Sequence, residues 1–199
     1  MQLYTSTTSP YARLVRVALA EKQLSASIDY QFLDPWQDPA ALQSVNAVCR
    51  VPTLVTDDGQ ALTEAAVILL FLERRYPEPR LMGRDNVEQV HARLGQALGC
   101  IDAGVGVITE RRHGDPETAL TRRRAAALER SAHAIAGAVD VDGDGKPDLG
   151  SLAQAVTLAW LDFRFAAELP WREQHPATAE WLDRISQRPS FVETQPPAA

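Results

Sequence analysis

The sequence predicts an α/β domain followed by an all-helical domain. Three observations support this prediction: strand and helix patterns alternate over residues 1–76, two prolines and a glycine interrupt residues 77–86, and residues 87–199 have helical periodicity. A chain of 199 residues is long enough for one large domain or two small ones. We therefore expect an N-terminal α/β domain, a linker and a C-terminal helical domain.

The first domain begins with a predicted strand, helix, strand and second helix. Residues 2–5 are a short strand candidate, and residues 28–32 alternate apolar and polar side chains, the period of a half-buried strand. Between these strands, the spacing of apolar residues indicates an amphipathic helix over 10–22. Asp38 and Pro39 predict the start of the second helix, as its N-cap and its first helical residue.

The second half of this domain carries a hairpin signal. Residues 57–59, Asp-Asp-Gly, lie between two short strand candidates, 53–56 and 61–63. Glu64 then opens an apolar helix that continues through Leu72. The complete order, β-α-β-α-β-β-α, gives a small mixed sheet covered by helices, which is the thioredoxin topology.

Four helices are predicted in the second domain. They run approximately over 87–112, 116–139, 151–168 and 177–187. Prolines and an acidic loop separate them. Ser151 is the predicted N-cap of the third helix, in a capping box with Gln154.

The composition argues against several classes of protein. A formal net charge of −6 disfavours nucleic acid as a partner. The longest apolar run, Ala65 to Leu72, is far shorter than the roughly 20 residues of a membrane span, and no secretory signal is present, so we expect a cytoplasmic protein without membrane contact. The cysteines, Cys49 and Cys100, form no CxxC pattern, which favours a reducing compartment without disulfides or structural zinc.

Several motifs occur in an order that resembles a known family. They are Thr-Ser-Pro-Tyr-Ala-Arg at 8–13, Arg-Val-Pro-Thr-Leu at 50–54 and Leu-Thr-Glu-Ala at 62–65, followed by Leu-Asp-Phe-Arg at 161–164 and Arg-Pro-Ser-Phe at 188–191. With them, nearly the whole chain is similar to the bacterial cytosolic glutathione S-transferases. This resemblance implies a thioredoxin-like glutathione-binding domain over 1–76, a linker over 77–86 and an all-helical domain over 87–199.

The resemblance implies a catalytic role for Ser9. In the family, a residue just before the first helix activates the thiol of glutathione, which has a pKa near 8.5 and is mostly protonated at neutral pH. The residues themselves support this role, because Pro10 suits the first helical position and Ser9 would lie at the positive end of a helix dipole. The alternative is that Ser9 is only a helix N-cap.

The resemblance also implies a set of contacts with the peptide of glutathione. Arg50 would bind the glycine carboxylate, and Val51 would pair with the peptide backbone beside a cis Pro52. Glu64 would meet the γ-glutamyl ammonium, and the backbone N–H of Ala65 would face the γ-glutamyl carboxylate. For Pro52, the alternative is an ordinary proline at the start of a strand.

Several positions depart from the family pattern, and two of them, Ala65 and Cys49, lie in or beside the candidate site. Ala65 stands where the family has a serine, so one hydroxyl donor to the γ-glutamyl carboxylate is missing. A hydrogen bond to a charged group contributes roughly 1.5–3 kcal/mol, so the loss corresponds to about ten- to a hundred-fold weaker binding. Cys49 stands where glycine is usual, and we expect it to be a packing residue.

An acidic loop and four histidines are candidates for metal ligands. Residues 140–148 place aspartates at positions 1, 3, 5 and 9 of a calcium-loop pattern, with glycine at position 6. Position 12 is Ser151 and not a bidentate glutamate, so a solvated acidic turn is favoured and calcium is the alternative. The histidines lack metal-ligand spacing in sequence, so we expect no metal and assign them surface or helix-end roles; they are His91, His113, His133 and His175.

Two functional classes are compatible with the sequence. The first is an enzyme that uses bound glutathione on an electrophile, a peroxide or a disulfide, with the helix over 87–112 and Arg111 or Tyr11 near the second substrate. The second, which Ala65 favours, is a binding or scaffold protein of the same fold with little or no transferase activity. The resemblance implies a homodimer, and apolar residues over 90–107 exceed the needs of one packing face.

Overall fold

The chain forms two compact units. The computed structural model describes residues 1–83, 86–141 and 146–197. The first unit contains residues 1–82 and 187–199, and the second contains residues 83–186. The sequence prediction assigned residues 187–199 to the helical domain, whereas their contacts group them with the first unit.

The first unit is built on a four-stranded mixed sheet. Its strands are β1 (Gln2–Thr5), β2 (Asp29–Phe32), β3 (Thr53–Val55) and β4 (Ala61–Thr63). The order across the sheet is β2-β1-β3-β4, with β1 parallel to β2 and antiparallel to β3, and β3 antiparallel to β4. The predicted hairpin joins β3 to β4, and Gly59 supplies the positive φ of +83° that its turn requires. The mixed-sheet topology is therefore confirmed.

Helix α1 (Pro10–Glu21) follows β1 and ends in a Schellman motif. The Leu24 N–H donates to the Leu19 carbonyl at 2.8 Å, and the Gln23 N–H donates to the Ala20 carbonyl at 2.9 Å. Gln23 takes the left-handed conformation that this motif needs, with φ of +59°. The boundary predicted from the apolar spacing agrees with this end.

Helix α2 (Ala40–Gln43) begins one residue later than predicted. Pro39 is the N-cap and has extended backbone angles, whereas Asp38 has φ of +46° and does not cap the helix. The prediction failed because a single helical turn precedes this helix. Asp34 caps that turn by accepting from the Trp36 N–H at 3.0 Å, and the turn ends in the left-handed Asp38.

Helix α3 (Ala65–Arg75) packs beside α1. Lys22 holds the segment that follows α3 in place. Lys22 Nζ donates to the carbonyl oxygens of Tyr76 at 2.7 Å and Pro79 at 3.1 Å, and it forms an ion pair with Glu73 at 2.5 Å. The Glu73 carboxylate in turn accepts from the N–H groups of residues 81 and 82. The first residues of the predicted linker are thus held by a buried lysine.

The second unit consists of helices packed around α4 and α6. Its helices are α4 (Val87–His113), α5 (Ala119–Gly137), α6 (Leu149–Phe165), α7 (Trp171–Gln174) and α8 (Pro176–Ile185). Gly104 lies where α4 meets α6, and a Cβ there would come within 2.7 Å of the Trp160 ring. The predicted helical character is confirmed, although the single turn of helix α7 was not predicted. Among the described helices, none is long and apolar enough to cross a membrane.

The apolar residues of α4 are used inside the chain. Val90, Leu94, Ala97 and Ile101 are all buried, on a helix that packs against both α5 and α6. The apolar residues of this helix do exceed the needs of one packing face, as expected; Leu98 is partly exposed, and the buried ones leave no free surface for a partner. The helix has two packing faces within its own unit, and these side chains fill them.

Helix α6 begins two residues earlier than predicted. Asp148 is its N-cap: the Asp148 side chain accepts from the Ser151 N–H at 2.8 Å, and the Ser151 hydroxyl accepts from the Asp148 N–H at 2.9 Å. Ser151 thus occupies the third helical position of the capping box instead of the cap. Asp148 also lies 3.6 Å from Arg93, which favours an acidic cap. Gln154, the predicted partner in the box, is buried, and its amide nitrogen has no partner in the described part of the chain.

The last helix, α9 (Pro189–Val192), packs against α1. Phe191 is buried there. The Ser190 hydroxyl donates to the Glu21 carboxylate at 2.6 Å, and Arg188 donates to both oxygens of that carboxylate. These contacts explain why the C-terminal segment groups with the first unit.

Candidate functional site

Three of the predicted site segments lie at one end of the sheet. The pairing of β3 with β4 places Pro52, just before the first strand, and Glu64, just after the second, at the same end. Because β1 is antiparallel to β3, it also ends there, and the chain leads from it to Ser9. The register of the sheet thus brings together residues that are far apart in sequence.

Ser9 is the N-cap of α1. Its Oγ accepts a hydrogen bond from the Ala12 N–H at 3.3 Å, and its own N–H donates to the Ser6 hydroxyl at 3.3 Å. A serine hydroxyl can accept and donate at once, so the cap leaves its O–H for another acceptor. Within the described residues, no acceptor for that O–H is found. The N-cap is therefore present, and a donor role for the hydroxyl is compatible with it.

Asn46 organises the loop that leads to Pro52. Its amide nitrogen donates to the Arg50 carbonyl at 3.1 Å and to the Thr53 hydroxyl at 2.9 Å. Its side-chain oxygen accepts from the Val48 N–H at 3.0 Å. The sequence did not indicate this role, because asparagine is common before a turn and its presence does not identify the groups that its side chain binds. The buried amide holds the loop in one conformation.

Val51 precedes Pro52 through a cis peptide bond, the form that the resemblance implied. Its side chain is buried with Tyr4 and Ala12 in one apolar cluster, which joins the loop to the first turn of α1. None of the hydrogen bonds among the described residues involves its N–H or C=O. Arg50, the neighbouring residue, is exposed and forms no ion pair with any described carboxylate.

Cys49 occupies a strained position in the same loop. Its φ is +52°, a conformation that glycine adopts readily, which explains why glycine is usual at this position of the pattern. The thiol packs against the apolar cluster of Val51. Its partial burial, together with the Asp38 carboxylate, raises the pKa of the Cys49 thiol. A thiol of raised pKa is a poor nucleophile at neutral pH, in keeping with a packing role.

Glu64 and Ala65 form the start of α3. Glu64 has φ of +66° and ψ of 127°, unusual for a residue other than glycine, and its exposed side chain does not cap the helix. Such conformations are most frequent at functional sites. Ala65 is 3% exposed, and as the first helical residue it leaves its N–H without a partner in the helix. A carboxylate could bind these helix N–H groups while an ammonium group meets Glu64.

Two buried arginines lie further along α1. Arg13 donates to the Phe191 carbonyl at 3.3 Å, and Arg16 donates to the Glu193 carbonyl at 3.4 Å. Burial, and then the charge of Arg16, lower the pKa of Arg13 to about 10, so it remains charged at neutral pH. One N–H group of each has no partner among the described residues. These charges were not assigned from the sequence, although Arg13 is part of the first motif.

A cavity of about 260 Å³ lies within the second unit. Its walls include Val107, Leu128, Phe165 and Leu169, and an ion pair between Arg111 and Glu168 borders it, with nitrogen–oxygen distances of 2.9 and 2.6 Å. The hydrogen bond with Glu168 raises the pKa of Arg111, and the same bond lowers the pKa of Glu168. Apolar side chains, the Arg111–Glu168 ion pair and Glu129 line the cavity together.

The predicted calcium loop lies partly outside the described residues, which omit 142–145. Its ninth residue, Asp148, is the N-cap of α6 and also contacts Arg93. Within the described ranges, no group of three or more His, Cys, Asp or Glu residues is arranged to hold a metal ion. The structure does bring His133 and His175 together, which their distance in sequence gave no reason to expect.

Comparison with known proteins places the chain in a family. Residues 8–75 match the family model of the glutathione S-transferase N-terminal domain. The chain is 30% identical to the GST-like protein YibF of Escherichia coli, over 100% of both proteins.

Solved structures extend the similarity to the whole fold. A glutathione S-transferase of Methylobacterium radiotolerans in complex with glutathione sulfonate is 31% identical, with a TM-score of 0.88 over 100% of this chain and 95% of that one. A glutathione transferase family member of Pseudomonas fluorescens with bound glutathione is 30% identical, with a TM-score of 0.89 over 99% of each chain. From the full-length identity and the shared fold, the chain belongs to the glutathione S-transferase family.

Proposed function

We propose that this protein is a glutathione transferase that binds glutathione in its first unit and stabilises the thiolate with Ser9. The observation that carries this proposal is the Ser9 hydroxyl, which accepts the cap bond from Ala12 and keeps its O–H to donate. A sulfur anion at the N-terminus of α1 would receive that hydrogen bond and the positive end of the helix dipole. Relatives about 30% identical with glutathione or its sulfonate bound support this choice of ligand.

The remaining contacts follow from the loop and from the start of α3. The unpaired N–H and C=O of Val51 would bind the extended peptide of glutathione as an added strand does. The exposed Arg50 would reach the glycine carboxylate, and the N–H groups at Ala65 would bind the γ-glutamyl carboxylate. Glu64 would pair with the γ-glutamyl ammonium.

The proposed reaction is attack of the glutathione thiolate on an electrophile. The sulfur forms a bond to an electrophilic carbon, and either a leaving group departs with its electron pair or an activated alkene carbon takes a proton from water. A Pseudomonas fluorescens relative, 29% identical, holds S-(propanoic acid)-glutathione, which is a thioether of this kind. We propose a carbon electrophile as co-substrate ahead of a peroxide or a disulfide for this reason.

Titration calorimetry with glutathione, paired with a conjugation assay on a chromogenic haloarene, tests the proposal. We expect both glutathione and S-methylglutathione to bind, since both carry the same peptide. Only glutathione should react with the haloarene, because S-methylglutathione has no free thiol. Absence of heat at about 10 mM glutathione would overturn the proposal.

A second candidate is a binding or scaffold protein of the same fold. Ala65 favours it, because this buried residue lacks the hydroxyl that the family uses for the γ-glutamyl carboxylate. Binding of glutathione without turnover of any electrophile, peroxide or mixed disulfide would support this candidate over the enzyme.

The family assembly leads us to propose a homodimer as well. Val67 and Leu70 lie three residues apart on α3 and are 48% and 46% exposed, so one face of this helix presents an apolar surface. We propose this α3 surface as the dimer interface in place of α4, because the buried apolar residues of α4 pack within their own chain.

A further inference from the structure

A pair of histidines joins two parts of the helical unit. His133 lies on α5, and His175 lies at the junction of α7 and α8, 42 residues later. The Nδ1 atom of His133 is 3.3 Å from the Nε2 atom of His175, and the ring planes are inclined by 37°. Both side chains are half-buried, so one side of the pair faces solvent.

The contact requires an unprotonated nitrogen. Two N–H groups facing each other would repel, so at least one of these nitrogens presents its lone pair. If each neutral ring carries its proton on the outer nitrogen, both lone pairs face the space between the rings. A metal ion can then accept both lone pairs, at the place that the proton of the hydrogen bond otherwise occupies.

The spacing of these nitrogens fits a tetrahedral metal. Two imidazole nitrogens bound at about 2.05 Å with an angle of about 109° are about 3.3 Å apart. At the same bond length, neighbouring ligands of a square-planar ion would be about 2.9 Å apart. The observed 3.3 Å matches the spacing of two ligands on a tetrahedral zinc ion and is also within hydrogen-bond range.

The surrounding backbone holds the two histidines in place independently of their contact. The Thr178 hydroxyl donates to the carbonyl of Ala136 at 2.7 Å. Thr178 lies three residues after His175, and Ala136 lies three residues after His133. The His175 N–H donates to the carbonyl of the buried Trp171 at 2.9 Å. A ligand pair fixed in this way loses little freedom when a metal binds.

We propose that His133 and His175 form a two-histidine site for zinc, with water in the other positions. Within the part of the chain that the structure describes, no third His, Cys, Asp or Glu completes the ligand set. The site supplies about half the protein ligands of a structural zinc site, so a Kd of roughly 1–200 µM is expected. Bound zinc would link α5 to the α7–α8 junction.

Calorimetry with zinc chloride on chelator-treated full-length protein near neutral pH tests the site. We expect one zinc per chain, and at least about tenfold weaker binding in His133→Gln and in His175→Gln. His91→Gln is the matched control, because this exposed histidine hydrogen-bonds to the carbonyl of Val87 in its own helix and to no other histidine among the described residues. This variant should bind zinc as the wild type does.

A measurement on the unmodified protein covers the case in which a variant fails to fold. In nitrogen-15 spectra of the histidine rings, zinc should shift His133 Nδ1 and His175 Nε2 and leave His91 unmoved. A wild-type Kd weaker than about 1 mM, or zinc shifts at other histidines only, would leave the pair as a hydrogen bond without a metal and overturn the proposal.

Discussion

Arg188 and Glu21 form a bidentate ion pair between the residue before α9 and the last residue of α1. The Nε and Nη2 atoms of Arg188 donate to the two carboxylate oxygens of Glu21 at 2.8 and 2.7 Å. The Ser190 hydroxyl donates to the same carboxylate at 2.6 Å. This charge-assisted contact fastens the C-terminal segment to the first unit.

Glu21→Gln should lower the free energy of unfolding at neutral pH by about 1–3 kcal/mol. Burial raises the pKa of Glu21, but the hydrogen bonds from Arg188 and Ser190 outweigh burial and leave the pKa lowered. A group whose folded pKa lies below its unfolded value contributes stability above the unfolded pKa, and this is lost as pH falls through the folded pKa.

Urea unfolding at a series of pH values from neutral to acid measures this contribution. The wild type should lose stability below the ordinary glutamate pKa more steeply than Glu21→Gln does. Glu180→Gln is a suitable control, since this carboxylate is exposed. Parallel pH curves for wild type and Glu21→Gln would contradict the prediction.

Ser9→Ala should raise the pKa of bound glutathione towards that of the free thiol. One unit corresponds to about 1.4 kcal/mol, so the loss should appear as a lower rate near neutral pH that recovers at high pH. Loss of the cap should also lower stability by about 1 kcal/mol. Rate against pH, with thiolate absorbance of the complex, is the measurement.

Thr118→Ala is the matched control for the cap. Thr118 caps α5 by accepting from the Thr121 N–H at 3.1 Å, so its loss should lower stability alone. If Ser9→Ala has an unchanged pH–rate profile and only a lower melting temperature, Ser9 acts as a helix N-cap and has no part in catalysis.

Ala65→Ser should tighten glutathione binding by about ten- to a hundred-fold, because it restores a donor to a carboxylate at a helix N-terminus. Titration calorimetry measures the Kd of both proteins. Ala119→Ser places the same change at the first residue of α5 and should leave the Kd unaltered. Equal Kd values for wild type and Ala65→Ser would show that the γ-glutamyl carboxylate does not bind there.

Gln23→Gly should stabilise the protein by up to about 1 kcal/mol. Gln23 has φ of +59° in the Schellman motif after α1, and glycine adopts this conformation without the steric penalty of a Cβ. Thermal and urea unfolding would register the gain. Gln23→Ala keeps the Cβ and should not stabilise, so equal gains in both variants would refute the explanation.

Leu70→Glu should convert a homodimer into a monomer, because a charge would replace an apolar side chain on the exposed face of α3. Sedimentation at micromolar concentration measures the mass. Leu120→Glu is the control, since Leu120 is 49% exposed on α5 and is not part of the proposed surface. A wild-type mass of 21.8 kDa would rule out the dimer.

The amino-acid sequence determined the strands, the long helices and their order, but not the short helical turns such as α7 and α9. Apolar spacing predicted α1 and α4, and Asp57-Asp58-Gly59 predicted the β3–β4 hairpin, because these signals act over a few neighbouring residues. The motifs around Ser9, Pro52 and Glu64 predicted the candidate site and the family, since each motif is contiguous in the chain.

Only the tertiary structure decided which distant residues meet. The partners of Asn46, the two packing faces of α4 and the bond between Arg188 and Glu21 depend on how helices and strands pack, and no local pattern encodes them. Asp148, the N-cap of α6, also lies 3.6 Å from Arg93 of α4, a contact that no local pattern indicates. His133 and His175 are the clearest case: 42 residues separate them, and the packing of α5 against α7 brings their nitrogens to 3.3 Å.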